Sequence, residues 1–127
     1  MTRILYVDDE DDIREIAEMA LGLDPDLEVR TCASGQAGLE AARAWRPDLI
    51  MLDVMMPGMD GPETFVRLKE DPASAEIPVV FITARTQTHQ VAELIDLGAR
   101  GVISKPFDPM ALAAVVRRYL AGAGGKE

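Results

Sequence analysis

Asp8, Asp9, Asp53, Thr83 and Lys105 all stand where short apolar runs give out, and together they form a set that could move a phosphoryl group. Carboxylates are hard oxygen ligands, and Mg²⁺ needs only a few of them because it keeps several waters in its octahedral shell. Asp9 and Asp53 could hold such an ion between them, with Asp8 ordering one of its waters. A carboxylate can also act as a nucleophile and form an aspartyl phosphate. Asp53, preceded by Leu49-Ile50-Met51-Leu52, is the candidate for that role. A phosphoryl group in transfer carries negative charge on its equatorial oxygens. Mg²⁺, the Lys105 ammonium and the Thr83 hydroxyl could each bind one of them, so catalysis would be mostly positioning and charge neutralisation. Taken singly, each residue has an ordinary use: an acidic residue after a strand caps a helix, Thr83 is a strand residue, and Lys105 is a surface lysine. Their shared placement is what carries the chemistry.

That placement follows from the pattern of elements. Apolar, β-branched runs recur at Ile4 to Val7, Leu27 to Thr31, Leu49 to Leu52, Val79 to Thr83 and Val102 to Ser104. Helix-like stretches lie between them. Ile13, Ile16, Ala17 and Ala20 fall at helical spacing, with Asp11 or Asp12 as the expected N-cap. Ser34 is the expected N-cap of a helix running to Trp45, and a shorter helix contains Thr64 to Leu68. Val91, Leu94 and Ile95 mark a fourth helix that stops at Gly98, while Asp108-Pro109 reads as the cap and first position of a fifth. Strands alternating with helices imply parallel pairing with right-handed crossovers. Nearly continuous apolar runs suit strands covered on both faces. The expected fold is therefore an α/β, doubly wound, three-layer sandwich with a five-stranded parallel sheet and five helices. In such sheets, ligands bind beyond the carboxyl ends of the strands, which is where the polar set falls. Residues 1–121 read as one domain, and the glycine-rich residues 122–127 as a flexible tail.

Composition narrows the functions. Acidic residues number 22 against 13 basic ones, for a formal net charge of −9, which argues against direct nucleic-acid contact or binding to an anionic membrane. Arg117 and Arg118 make only a small local basic patch. One cysteine, Cys32, allows no intramolecular disulfide and suits a reducing compartment. The apolar start ending at Val7 is too short for a signal peptide or a membrane span, so the cytoplasm is the expected location.

With these residues in view, the chain resembles the receiver domain of two-component response regulators from Ile4 to about Leu120. The matching features are the pair Asp8-Asp9, the segment Asp53-Val54-Met55-Met56-Pro57-Gly58-Met59-Asp60-Gly61, then Thr83-Ala84, and Lys105-Pro106-Phe107. The resemblance implies a flavodoxin-like strand order of 2-1-3-4-5. It makes Asp53 the phosphoacceptor, charged by a histidine kinase or histidine phosphotransfer protein. It gives Mg²⁺ the ligands Asp8, Asp9, Asp53 and the backbone carbonyl of Met55. It also implies that Thr83 moves toward the phosphoryl group, that Lys105 contacts a phosphoryl oxygen, and that the Lys105–Pro106 bond is cis. Output would pass to a protein partner through the face made by the fourth helix, fifth strand and fifth helix, from a monomer or weak dimer. The chain would assist its own phosphorylation and dephosphorylation without being a turnover enzyme.

One departure bears on the switch: Val102 stands three positions before the lysine, where many receivers carry an aromatic residue that rotates inward. Arg100 and Gly101 likewise replace the acidic residues found there in receivers that dimerise through their fourth and fifth helices. Three rival functions compete with this one. A flavin- or dinucleotide-binding module would need a glycine-rich phosphate loop where Asp8-Asp9-Glu10-Asp11-Asp12 stands. An aspartyl phosphohydrolase would need its nucleophile on the first strand and a substrate cap. The remaining alternative is a pseudo-receiver that docks to partners without being phosphorylated. His89, the only histidine, reads as a solvated residue, and Cys32, Trp45 and Phe65 as packing residues.

Overall fold

In the computed structural model, which describes residues 1–126, eleven elements follow one another along the chain. These are β1 (Thr2–Val7), α1 (Asp11–Leu21), β2 (Leu27–Cys32), α2 (Gly35–Trp45), β3 (Leu49–Asp53), α3 (Gly61–Glu70), β4 (Val79–Thr83), α4 (Thr88–Leu97), β5 (Gly101–Ser104), α5 (Leu112–Leu120) and β6 (Gly125–Lys126). The strands form one sheet in the order β2-β1-β3-β4-β5-β6, and every pairing is parallel. The expected five-stranded core sheet is there in the expected order. The sixth strand is a correction to the flexible tail: Gly125 and Lys126 pair with Gly101 and Val102. The Tyr119 hydroxyl donates to the Gly125 carbonyl at 2.7 Å, which fixes the segment to the end of α5.

Alternate residues of a strand face opposite sides of the sheet, and here both sides are covered. Ile4, Tyr6, Met51, Ile82 and Ile103 pack toward α1 and α5. Leu5, Val7, Leu52, Phe81 and Val102 pack into the opposite cluster, with Trp45, Phe65 and Leu94. All ten strand residues named are essentially without solvent exposure, which explains why the runs read as continuously apolar.

Two helix starts differ from expectation in their caps. The N-cap of α1 is Glu10, not Asp11 or Asp12, because Asp8 Oδ1 takes the Glu10 N–H and turns the chain two residues earlier. At α3 the cap is Asp60, whose carboxylate accepts from Glu63 N at 2.9 Å. Asp108 spends its carboxylate on Met110 N, closing a turn over residues 109–111, so α5 begins only at Leu112. Ser34 caps α2 as expected, accepting from Ala37 N.

Candidate functional site at the carboxyl rim of the sheet

Register builds the site. Val7 lies opposite Leu52 across β1 and β3, so the next residues, Asp8 and Asp53, stand side by side at the rim. Thr83 lies opposite Ser104 across β4 and β5, so Lys105 is the first residue beyond that pair. Asp8, Asp53 and Lys105 continue the alternation of Tyr6, Met51 and Ile103, so all three point to the α1–α5 side. Thr83 continues the alternation of Phe81 and points to the other side.

The geometry follows from this parity. Lys105 Nζ lies 2.9 Å from Asp8 Oδ2, 3.4 Å from Asp53 Oδ1 and 3.4 Å from Glu10 Oε1. Asp8 and Asp53 are buried. Asp8 Oδ1 accepts from Glu10 N at 3.0 Å, and Asp8 Oδ2 from the Tyr6 hydroxyl at 3.2 Å. Asp53 Oδ2, by contrast, is buried and has no hydrogen-bond partner among the described residues. Thr83 is buried and accepts from Arg85 N at 3.0 Å. Met55 stands two residues past Asp53 with its side chain exposed. The Lys105–Pro106 peptide is cis.

The electrostatics are those of too many carboxylates for one ammonium. Burial first, and then the neighbouring Asp8 charge, push the Asp53 carboxyl up to about 6, against the pull of Lys105. Burial draws the Lys105 ammonium down, but its Asp8 hydrogen bond and the charges of Asp53, Asp8 and Glu10 outweigh this and raise it. Burial, then the Asp8 charge, drive the Tyr6 phenol far up, so it remains a donor.

Asp8, Asp9, Glu10 and Asp53 each offer a carboxylate oxygen, all within 4.8 Å of one another. An all-oxygen set with excess negative charge and one orphaned buried oxygen fits a hard divalent cation. A cavity of about 550 Å³ between α2 and α3, lined by Glu40, Arg43, Arg67 and Asp71, includes none of the rim's residues.

The sequence singled out Asp8, Asp9, Asp53 and Lys105, and the structure brings them together. Thr83 ends β4 on the same rim, with its hydroxyl accepting from Arg85 N. Two contributors were missed. Glu10 was hidden in its acidic run, and Tyr6 read as one more member of an apolar strand. Spacing alone could have found Tyr6, since residues two apart on a strand share a face.

The family model of the response regulator receiver domain matches residues 4–117. The chain belongs to that family. This receiver is 39% identical over 119 residues to the transcriptional regulatory protein CseB of Streptomyces avermitilis, covering 94% of this chain and 49% of that protein. It is 41% identical over 115 residues to the response regulator PleD of Caulobacter vibrioides, covering 91% of this chain and 25% of that protein. The receiver thus spans about half of one relative's length and a quarter of the other's. The structure of chemotaxis protein CheY4 of Vibrio cholerae superposes with a TM-score of 0.85 at 33% identity, over 93% of this chain and 98% of that one. The flavodoxin-like fold and a place in two-component signalling are thereby shown. Receivers in general use Mg²⁺ and work with histidine kinases and output domains. Among the described residues, no helix is long and apolar enough to cross a membrane.

Proposed function

We propose that this receiver accepts a phosphoryl group on Asp53 and signals by doing so. The observation that supports it best is the Asp53 carboxylate itself: buried, at the rim, beside the Lys105 ammonium, with one oxygen that has no hydrogen-bond partner among the described residues. An Asp53 oxygen would form the bond to phosphorus as the bond to the donor breaks. The leaving electron pair would go to an imidazole nitrogen of a histidine kinase or phosphotransfer protein, or to acetate from acetyl phosphate.

Asp9 and Asp53 would hold Mg²⁺ directly, with the Met55 carbonyl. Asp8, whose two oxygens already have donors, would act through one of the ion's waters. When bound, the ion supplies charge neutralisation at the phosphoryl oxygens. Lys105 would turn from Asp8 toward a phosphoryl oxygen, and Thr83 would come across from its Arg85 contact. Val102 is fully buried among Phe81, Leu94 and Ala99, so no ring at that position can rotate. The signal would therefore leave through the backbone around Thr83 toward α4, β5 and α5, where an output protein would dock. Arg100 donates to the Tyr119 carbonyl at the end of α5.

Incubation with acetyl phosphate and Mg²⁺, read by intact mass, tests the proposal. A Mg²⁺-dependent phosphoryl adduct that is absent from Asp53→Asn is the expected result. No adduct, and no binding of the phosphoryl mimic beryllofluoride, would overturn it and leave a domain that only docks.

A further inference from the structure

Tyr6 is fully buried, yet it carries a hydroxyl into a core where phenylalanine would fill nearly the same space. Its ring lies in the cluster between the sheet and helices α1 and α5. Tyr6 and Asp8 are two apart on one strand line, so their Cα atoms are about 7 Å apart and their side chains share a face. Strand side chains lean along the strand, and a phenol is long enough to carry its oxygen to the next residue on that face. The hydroxyl ends 3.2 Å from Asp8 Oδ2, inside the protein.

Asp8 has no solvent exposure, so protein groups must supply all its donors. It has three: Glu10 N on Oδ1, and Tyr6 and Lys105 on Oδ2. Lys105 is the one that the proposed chemistry redirects to another oxygen. The donors that then remain are a backbone N–H and the Tyr6 hydroxyl, one for each carboxylate oxygen. Together they fix the plane of the carboxylate whether or not Lys105 is engaged.

We propose that Tyr6 is a positioning residue for the metal site: its hydroxyl holds Asp8 oriented toward the ion that Asp9 and Asp53 bind. The inference rests on the metal reading given under Proposed function. Groups that orient metal-binding side chains typically change metal affinity 10- to 100-fold when removed. Because Tyr6 shares its task with Glu10 N, the lower end applies.

The test is Mg²⁺ binding by the intact chain, measured by isothermal titration calorimetry for the parent, Tyr6→Phe and Tyr119→Phe. Tyr119 is the other buried tyrosine, and its hydroxyl serves the carbonyls of Val102 and Gly125, away from the carboxylates. Tyr6→Phe should bind Mg²⁺ about 10-fold more weakly, and Tyr119→Phe should match the parent. Equal affinity in parent and Tyr6→Phe overturns the inference and leaves the metal reading intact. Equal weakening in both variants overturns it too, because the effect is then general loosening. A parent that binds no Mg²⁺ removes the metal reading and the inference together. A second measurement avoids any dependence on the folding of Tyr6→Phe. In chain labelled with ¹³C at the tyrosine ring carbon bearing oxygen, Mg²⁺ should shift the Tyr6 resonance (identified as the one that survives in Tyr119→Phe) and leave Tyr119 in place. An unmoved Tyr6 resonance overturns the inference.

Discussion

Lys105 Nζ stands 2.9 Å from Asp8 Oδ2, and this ion pair joins the last strand of the core sheet to the first. Its carboxylate is buried and its ammonium nearly so. Removing one partner of such a pair leaves an uncompensated charge, at a cost on the order of 3 kcal/mol. Lys105→Met should therefore unfold at markedly lower urea concentration than the parent in EDTA. Mg²⁺ should return part of the loss, since a dication can compensate the same carboxylates. An unchanged urea midpoint in EDTA would show that the carboxylates do not depend on the lysine.

Asp53→Asn should have the opposite sign. Asp8 and Asp53 crowd one ammonium, and both burial and mutual repulsion work against the ionised Asp53. The amide keeps the shape and removes the charge. In EDTA at pH 8, the variant should melt several degrees higher than the parent, in line with about 1–2 kcal/mol of relief. A lower melting temperature would mean that Asp53 is held by contacts stronger than those described.

Gly61 marks where α3 approaches the end of β3. A Cβ there would lie 2.4 Å from the Asp53 carbonyl oxygen and 2.7 Å from the Val54 Cα, both backbone atoms that cannot swing aside. Gly61→Ala should therefore cost about 1–3 kcal/mol, readable as a lower urea midpoint. It should also slow phosphorylation by acetyl phosphate, because the backbone that must yield carries Asp53. A variant with parental stability and rate would show that the helix start can retreat freely.

Far from the rim, Arg117 of α5 donates from Nε and from a terminal nitrogen to Asp24, at 2.8 and 3.1 Å. The Arg117 hydrogen bonds, helped by Asp26 N, hold the Asp24 carboxyl below the usual carboxylate range. A depressed acid stabilises the fold above its unfolded pKa, and that contribution is lost as pH falls through the folded pKa. Asp24→Asn should thus lower the urea midpoint at pH 7 and have a shrinking effect below about pH 4. A difference from the parent that stays constant with pH would assign the effect to packing.

Much of this was legible in the sequence because two rules are strong. Parallel strands covered on both faces must be apolar throughout, so Ile4 to Val7 and Leu49 to Leu52 stand out, and the first polar residue after each is forced to the rim. Less legible was anything set by competition for a single N–H. Asp11 and Asp108 have the composition of caps, but Asp8 takes Glu10 N, and Asp108 takes Met110 N at i+2. The β6 strand was illegible because its pairing is made by backbone groups, with Tyr119 from another element supplying the anchor. Tyr6 was misread for the opposite reason: its ring obeys the apolar pattern so well that the hydroxyl drew no notice.

The span of chain closed by Lys105 also sets when this site comes into being. Lys105 meets Glu10, 95 positions earlier, and contacts of that separation are made late because so much chain must be ordered first. A nascent chain emerging from synthesis with β1 to β4 formed would hold the Asp8 and Asp53 carboxylates without the ammonium between them. Such a chain could shelter its apolar strands but would lack the charge balance for phosphoryl chemistry. On the proposed function, competence to accept a phosphoryl group would thus wait until β5 is made, and an unfinished copy would stay silent.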